Sequence, residues 1–136
     1  MGIKTLWLEE GKTGVELFEA IRRWGKIAKK KNKKNIIRFV ADGFQVVFCA
    51  PKSEQESGDR LVSELKGNAD FIACDVSRAE EVEAMIAQIK QKHGRLHVIF
   101  NNAGVGASDG RLHEIPNDRF QLLTNVNQIG AFYVMK

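Results

Sequence analysis

Apolar residues recur along the chain in two alternating patterns, one with the period of a helix and one that forms short continuous runs. The N-terminal part follows the helical period. A stripe through Val15, Phe18, Ile21 and Trp24 predicts a helix over about 14–30. Apolar residues at 36, 37, 39 and 40 repeat that spacing, and the Asp42-Gly43 pair is expected to end the second helical stretch.

Three apolar runs downstream have the length and composition of strands. They cover about 44–50, 70–74 and 96–100, and helical periodicity occupies the segments between them. Ser53 with Glu56 and Ser77 with Glu80 fit capping boxes that would open two of these helices. A last helix is expected from about Arg119 to the end. Strands that alternate with amphipathic helices predict an α/β fold with βαβ units on a parallel sheet.

Composition limits the classes of protein that this chain can belong to. A length of 136 residues with 43% hydrophobic content predicts at most one globular domain. No apolar run reaches the length of a membrane span, and Glu9 and Glu10 interrupt the N-terminus where a secretory signal needs an apolar centre. We therefore expect a cytoplasmic protein. Cys49 and Cys74 lie within apolar runs and are expected to be reduced core residues, and no metal site is expected.

The charge is distributed unevenly along the chain. Residues 1–38 carry eleven Lys and Arg against four Glu, whereas residues 39–136 carry ten against thirteen Asp and Glu. The basic excess runs from Arg22 to Arg38. Such a run could bind nucleic acid, anionic lipid or a nuclear import receptor. A solvated stretch is the favoured interpretation, because no aromatic side chain is interleaved among the lysines to stack on bases.

The Asn101-Asn102-Ala103-Gly104 motif directly follows the third apolar run, 26 residues after Asp75, which ends the second. From about 36 to 136 the chain resembles the cofactor-binding half of the short-chain dehydrogenase/reductase family. That resemblance implies a partial doubly wound, Rossmann-like parallel sheet. It also implies NAD(P)-dependent hydride transfer with a small-molecule alcohol or carbonyl substrate.

The same resemblance implies which residues form the site. Asp75 and Val76 would line the adenine, and Asn101, Ala103 and Gly104 would line the ribose side of a nicotinamide dinucleotide. Ala and Gly at these positions allow the backbone to approach a ligand closely. Asn127 matches the family's catalytic asparagine, which bonds a structural water in the proton relay and belongs to an Asn-x-x-Gly motif.

Two finer expectations concern the cofactor and the branch of the family. The apolar run at 44–50 ends in Ala50-Pro51-Lys52, at the position where the family has an acidic residue that holds the ribose hydroxyls of NAD. A nearby cation without a carboxylate favours the 2′-phosphate of NADP. The strings Val-Val-Phe-Cys and Cys-Asp-Val resemble the 17-beta-hydroxysteroid dehydrogenase type 14 branch.

The chain departs from the family pattern at both ends. A lysine-rich stretch, 26–35, stands where the family has a strand and a glycine-rich phosphate loop. Residues 5–8, followed by Gly11-Lys12-Thr13-Gly14 and a helix, could replace that unit. Tyr133 precedes Lys136 by three residues rather than four, and no Ser follows Ser108.

These departures leave several interpretations of domain organisation and function. We expect an atypical basic segment with a helix over 1–35 and an incomplete dinucleotide-binding domain over 36–136. The favoured function is a truncated or variant oxidoreductase, inactive as this chain. Alternatives are a non-catalytic module that pairs with a full-length family member through the 119–136 helix, and nucleic-acid binding through 22–38. Loss of the first strand would leave sheet edges unpaired, which predicts instability of the isolated chain.

Overall fold

The computed structural model of the chain describes residues 32–106 and 110–136. Two strands alternate with five helices over these residues, and 3₁₀ turns at Lys52–Glu54 and Leu112–Glu114 and a π turn at Asn125–Ile129 connect them. In chain order the elements are α1 Asn32–Ala41, β1 Val46–Ala50, α2 Gln55–Glu64, β2 Ala69–Ala73, α3 Ala79–His93, α4 Asn117–Thr124 and α5 Gly130–Met135.

The two strands pair in parallel, with Val46 opposite Ala69 and Ala50 opposite Ala73. Helix α2 makes the crossover between them, so β1, α2 and β2 form one βαβ unit. The predicted α/β class with a parallel sheet is confirmed. The strands at 46–50 and 69–73 also match the predicted runs at 44–50 and 70–74 to within two residues.

Side chains of β1 alternate between two apolar clusters on opposite faces of the sheet. Val46 and Phe48 belong to the first cluster, which they share with side chains of α1 and α2. Val47 and Cys49 belong to the second cluster, which they share with side chains of α3 and of the helix that ends the chain. All five residues of β1 are buried. This strand is therefore covered on both faces, as the continuous apolar run predicts.

The strand predicted at 96–100 does not form, and the prediction is wrong on this point. Residues 95–106 have no regular secondary structure, although their side chains enter the core. Val98 and Phe100 pack on the first cluster and Leu96 on the second, and the rings of Phe100 and Phe39 lie 6.2 Å apart. A strand needs a neighbour to receive its backbone hydrogen bonds, and none lies beside 96–100 among the described residues.

Neither predicted capping box forms. The residues that precede α2 and α3 at their first turns are Glu54 and Arg78, and neither makes a side-chain capping hydrogen bond. Ser77 turns back instead, and its N–H and hydroxyl both donate to Asp75 Oδ1, at 3.0 and 2.8 Å. A short side chain near a helix start can bond a neighbouring turn as readily as the helix amides.

Helix α3 is tied to β2 at both ends. At its start, the Glu81 carboxylate accepts a hydrogen bond of 2.8 Å from the Asp75 N–H, just beyond β2. At its end, Lys92 and His93 contact the Asp70 carboxylate near the start of the strand, at 2.6 and 2.9 Å. These contacts fix α3 along the length of β2 and hold the turn that follows the strand.

Cys49 and Cys74 are both buried, as predicted, and belong to the second cluster. Cys49 lies in β1, and Cys74 directly follows β2. A hydrogen bond with Cys49, together with burial, raises the pKa of the Cys74 thiol. The Cys74 thiol is therefore protonated at physiological pH.

Several predictions fall outside the described residues. These are the helix over 14–30, the segment 5–8 with its Gly-x-x-Gly, Ser108, and most of the basic run. The division of the chain at residue 35 and the cytoplasmic location stay predictions. Among the described helices, none is both long and apolar enough to cross a membrane.

Candidate functional site

Asp75 lies at the carboxyl end of β2, where the resemblance placed it. Its Oδ1 accepts both hydrogen bonds from Ser77, and its backbone N–H donates to Glu81. Its Oδ2 makes no hydrogen bond with the described residues. Glu81 also forms an ion pair with Arg78 at 3.2 Å. The half-buried carboxylate is thus held in one orientation with a single oxygen available to a ligand.

Val76 directs its side chain into the protein rather than toward a ligand. The side chain is 2% exposed and packs in the second cluster. A Cβ added at Gly130 would lie 2.7 Å from Val76 Cγ2 and 3.0 Å from the Val76 carbonyl oxygen. The turn after β2 therefore rests directly on the first residue of α5, and only glycine permits this approach. Any contact of Val76 with adenine falls to its backbone.

Asn101 is anchored to the same helix. Its Nδ2 donates a hydrogen bond of 2.9 Å to the Ala131 carbonyl, across thirty residues of sequence. Ala103 packs against the second cluster, and Gly104 is exposed. The 101–104 turn is consequently held by an amide side chain at its start and presents small residues after it.

Asn127 holds the residue that follows this turn. Its Oδ1 accepts a hydrogen bond from the Val105 N–H at 2.8 Å, and its Nδ2 donates to the Val105 carbonyl at 3.0 Å. The side chain thus pairs with a backbone as a neighbouring strand would. A Cβ at Gly104 would lie 3.2 Å from the same Oδ1. These contacts make Asn127 a positioning residue for 104–105; its role in a proton relay stays a prediction.

Residues 125–131 bring the site residues together. This segment comprises the π turn and the first two residues of α5, and it contacts Val76, Asn101 and Val105 through Gly130, Ala131 and Asn127. Single π turns inside helices occur frequently at functional sites. Because one segment touches both the β2 end and the 101–105 turn, the predicted site residues lie on one side of the protein.

The hydrogen-bonding groups at the end of β2 fit an adenine base. Asp75 Oδ2 is an available acceptor, and the neighbouring Val76 N–H makes no hydrogen bond with the described residues. Adenine presents a donor, the exocyclic amine, beside an acceptor, the ring nitrogen N1. An acceptor and a donor on successive residues match that edge. These two groups are therefore complementary to the hydrogen-bonding edge of adenine.

The stretch 26–35 does not fit the pyrophosphate part of a dinucleotide. A phosphate site needs backbone N–H groups at a glycine-rich turn before a helix. The stretch 26–35, which runs into α1, contains eight Lys and Asn residues and no glycine. Positive charge is present there, but the sequence has no residue that permits the close backbone approach.

Lys52 lies in the 3₁₀ turn after β1 and is exposed. It lines a groove beside β2 that Ile72, Ala73 and Glu81 also line. Glu81 is already engaged by Arg78 and by the Asp75 N–H, so its charge is partly compensated. Lys52 consequently places a cation in the groove beside the end of β2.

Tyr133 is half-buried and packs against the second cluster, with its ring 6.0 Å from that of Phe132. Lys136 is exposed at the end of the chain. Nothing in this placement sets the tyrosine hydroxyl beside a lysine ammonium. Tyr133 therefore belongs to the face of α5 that packs on the core.

Two residues important for the site were not singled out from the sequence. Glu81, rather than Glu80, reaches back to the turn after β2, and the capping-box spacing pointed to its neighbour. Arg119 donates a hydrogen bond of 2.6 Å to the Gly106 carbonyl and so ties the loop to α4. No motif marks Arg119, since an arginine at a helix start is ordinary in sequence terms.

The fold defines an α/β domain with a small parallel sheet and flanking helices. A family model described as enoyl-(acyl carrier protein) reductase matches residues 36–136. Rabbit (Oryctolagus cuniculus) L-fucose dehydrogenase is 37% identical over 98 residues, covering 72% of this chain and 34% of the relative. Rat (Rattus norvegicus) 3-hydroxyacyl-CoA dehydrogenase type-2 is 34% identical over 105 residues, covering 73% and 39%. The chain belongs to the short-chain dehydrogenase/reductase family.

Solved structures agree with this assignment. ElxO with NADP bound is 31% identical and superimposes with a TM-score of 0.65, covering 74% of this chain and 41% of that one. A 3-ketoacyl-(acyl-carrier-protein) reductase from Brucella melitensis, complexed with NADH, shares the fold at a TM-score of 0.68 and 24% identity, covering 72% and 39%. The chain thus spans well under half the length of the relatives it matches.

We predict that Asn127→Asp destabilises the protein by about 1–3 kcal/mol, because a carboxylate oxygen would replace the Nδ2 donor and face the Val105 carbonyl. Urea unfolding of the full chain measures the change. Gln128→Glu makes the same chemical change at the adjacent exposed position and should alter stability by less than about 0.5 kcal/mol. Equal effects of the two substitutions would contradict the positioning role.

Proposed function

We propose that residues 36–136 provide the adenosine-binding part of an NAD(P) site and that the 136-residue chain does not transfer hydride by itself. The observation that carries this proposal is the Asp75 Oδ2 acceptor beside the Val76 N–H donor, held in place by Ser77, Glu81 and Gly130. A bound nicotinamide would supply or accept the hydride in the reaction of the family. The residues described above would bind and orient the other end of the cofactor.

Pre-organisation supports adenosine binding. Both Ser77 bonds, the Glu81 bond and the Gly130 contact hold the turn after β2 before any ligand arrives, so little conformational entropy remains to be lost on binding. The Asn101 and Asn127 amides similarly hold the 101–105 turn. The small residues Ala103 and Gly104 leave room for a ribose.

The proposed lack of turnover rests on the absence of a suitably placed proton donor among the described residues. Reduction of a carbonyl needs a group that gives a proton to the developing alkoxide, and a tyrosine does so efficiently when a neighbouring cation lowers its pKa. Tyr133 packs against the second cluster, and Lys136 follows it at a spacing of three residues. The relatives named above include an L-fucose dehydrogenase and a 3-hydroxyacyl-CoA dehydrogenase, so an alcohol or carbonyl compound is the proposed substrate class of the complete site.

We predict that the full chain binds ADP, and that Asp75→Asn weakens this binding about tenfold or more, since the amide would face either Ser77 or the adenine amine with its donor side. Isothermal titration measures the affinity. Asp59→Asn, on the exposed face of α2, is the matched control and should leave the affinity within about twofold. Absorbance at 340 nm should show no enzyme-dependent oxidation of NADPH or NADH with steroid or small carbonyl substrates.

The two parts of the proposal fail separately. Identical ADP affinities for the Asp75→Asn and Asp59→Asn variants would refute adenine recognition at the end of β2. Oxidation of the cofactor in proportion to the purified chain would refute the lack of turnover and leave the binding site in place.

We further propose that NADP is the preferred cofactor, because Lys52 is the cation next to the adenine site and no carboxylate follows β1 directly. The full chain should bind 2′,5′-ADP about three- to tenfold more tightly than 5′-ADP, and Lys52→Ala should remove this difference. Lys90→Ala, on the exposed side of α3, should retain it. Equal affinities of the parent chain for the two nucleotides would contradict the preference.

Exposed apolar side chains on α4 and α5 favour a second function, pairing with a full-length family member. Phe120, Phe132 and Met135 are 59%, 58% and 66% exposed. Exposed aromatic groups on one helical segment are typical of a protein interface. The partner in this second proposal is a complete dehydrogenase subunit that presents its own equivalent helix.

Size-exclusion chromatography with rabbit L-fucose dehydrogenase as the full-length relative tests the second proposal. We expect co-elution of the two chains, and Phe132→Glu should abolish it because a carboxylate would be buried at the interface. Leu112→Glu places the same charge at a residue that is 81% exposed and lies outside the helix, and should leave co-elution intact. Separate elution of the unmodified chains would refute the pairing.

A further inference from the structure

The outer edge of β2, on the side away from β1, is open within the described residues. The Cys74 N–H donates to the Ala50 carbonyl, and the Asn68 carbonyl accepts a hydrogen bond from β1. Hydrogen-bonding direction alternates along a strand, so Phe71 and Ala73 direct their N–H and C=O groups to the outer edge. No described residue bonds these groups there. The edge therefore presents donors and acceptors to an incoming chain.

The accessible part of this edge is short and carries no protective residue. Ala69 at the start of β2 is 0% exposed, whereas Phe71 is half-buried and Ala73 is exposed. Proteins commonly guard an edge strand with a lysine, a proline or a bulge. None of these occurs from Phe71 to Ala73, where the register with β1 is continuous. This stretch can thus pair with another extended chain.

A groove lies beside the same edge, between β2 and α3. It encloses about 250 Å³, and the apolar residues that line it are Ile72, Ala73, Ala84 and Met85. Residues directly opposite each other on neighbouring strands direct their side chains to the same face of a sheet. A residue added opposite Ile72 would therefore direct its side chain to the face on which Ile72 packs with α3, which is the side of the groove.

The charges around the groove favour a negatively charged occupant. Glu81 lines the groove, but its carboxylate is engaged by Arg78 and by the Asp75 N–H. Lys52 is exposed and forms no ion pair with the described residues. Because Lys52 follows β1 and the two strands are parallel, this cation lies toward the carboxyl end of β2. A carboxylate at that end of an added strand would complement it.

We propose that β2 binds an extended, acidic segment of another protein at this edge, with an apolar side chain in the groove and a carboxylate beside Lys52. Strand addition is a recurring mode of peptide recognition, in which main-chain hydrogen bonds give affinity and pockets beside the edge give specificity. The added strand supplies partners for Phe71 and Ala73. Lys52 is also the cation proposed above for the 2′-phosphate of NADP, but the edge and the groove do not depend on that role. The test below therefore contains no nucleotide.

Fluorescence anisotropy of the full chain with the synthetic peptide fluorescein-Thr-Val-Thr-Ile-Asp-Asp-amide tests this docking. We expect saturable binding to the parent chain. Ala84→Glu places a carboxylate in the apolar groove and should weaken the binding at least about tenfold. Ala87→Glu makes the same change at an exposed position of α3 outside the groove, and this control should leave the affinity within about twofold.

The edge and the charge are tested separately. Ala73→Pro removes the outward donor at a position where an edge strand tolerates proline, and it should weaken the binding at least about tenfold. Replacing both aspartates of the peptide by asparagine should weaken its binding to the parent chain about three- to tenfold. Lys52→Gln should remove this difference between the two peptides.

No binding of the peptide to the parent chain overturns the proposal, and so do equal affinities of the Ala84→Glu and Ala87→Glu variants. If Ala73→Pro unfolds the chain, nuclear magnetic resonance of the parent decides the question. The peptide must then shift the amide signals of Phe71 and Ala73, and unchanged signals overturn the proposal. A dimer of the parent chain that Ala73→Pro dissociates assigns the edge to a second copy and equally overturns it.

Discussion

The burial of β1 is the constraint on which the rest of the structure depends. All five of its residues are buried, so their backbone groups need partners within the protein. Pairing with β2 satisfies alternate residues, and α2 and the turn after β2 are placed by that pairing. The same requirement explains why 96–100 enters the core without becoming a strand. Strand formation there depends on a neighbour, whereas apolar burial does not.

The predicted site residues are held in place by a different element, the 125–131 segment. Gly130 packs closely against Val76, and the Ala131 carbonyl accepts a hydrogen bond from Asn101. The Asn127 side chain accepts a hydrogen bond from the Val105 N–H. Amide side chains are well suited to this task, since each carries a donor and an acceptor that can bond a backbone in either direction. The residues expected to touch a cofactor thus depend on residues far along the chain that need not touch it. The affinity for a ligand and the stability of the helix are consequently coupled.

Sequence patterns predicted the parts of the fold that local composition determines. Runs of apolar residues located β1 and β2, and helical periodicity located α1 to α3, because burial on one or both faces leaves a direct trace in the order of residues. Asp75 and the 101–104 turn were found as small polar groups at the ends of such runs. What the patterns missed concerns partners. Ser77 bonds Asp75 instead of capping the helix as predicted. The bond from the Val105 N–H to Asn127, twenty-two residues apart, was not expected from any motif. Such choices depend on three-dimensional proximity, which spacing does not encode.

The two cysteines of the core have a further consequence for experiments on this protein. Both thiols are buried in the second cluster, so a thiol reagent in solution cannot reach them in the closed structure. Labelling requires β1 to separate from its surroundings. The rate at which a reagent consumes Cys49 and Cys74 therefore reports how often the centre of the sheet opens, without any added probe. The chain contains its own measure of the integrity of its innermost strand.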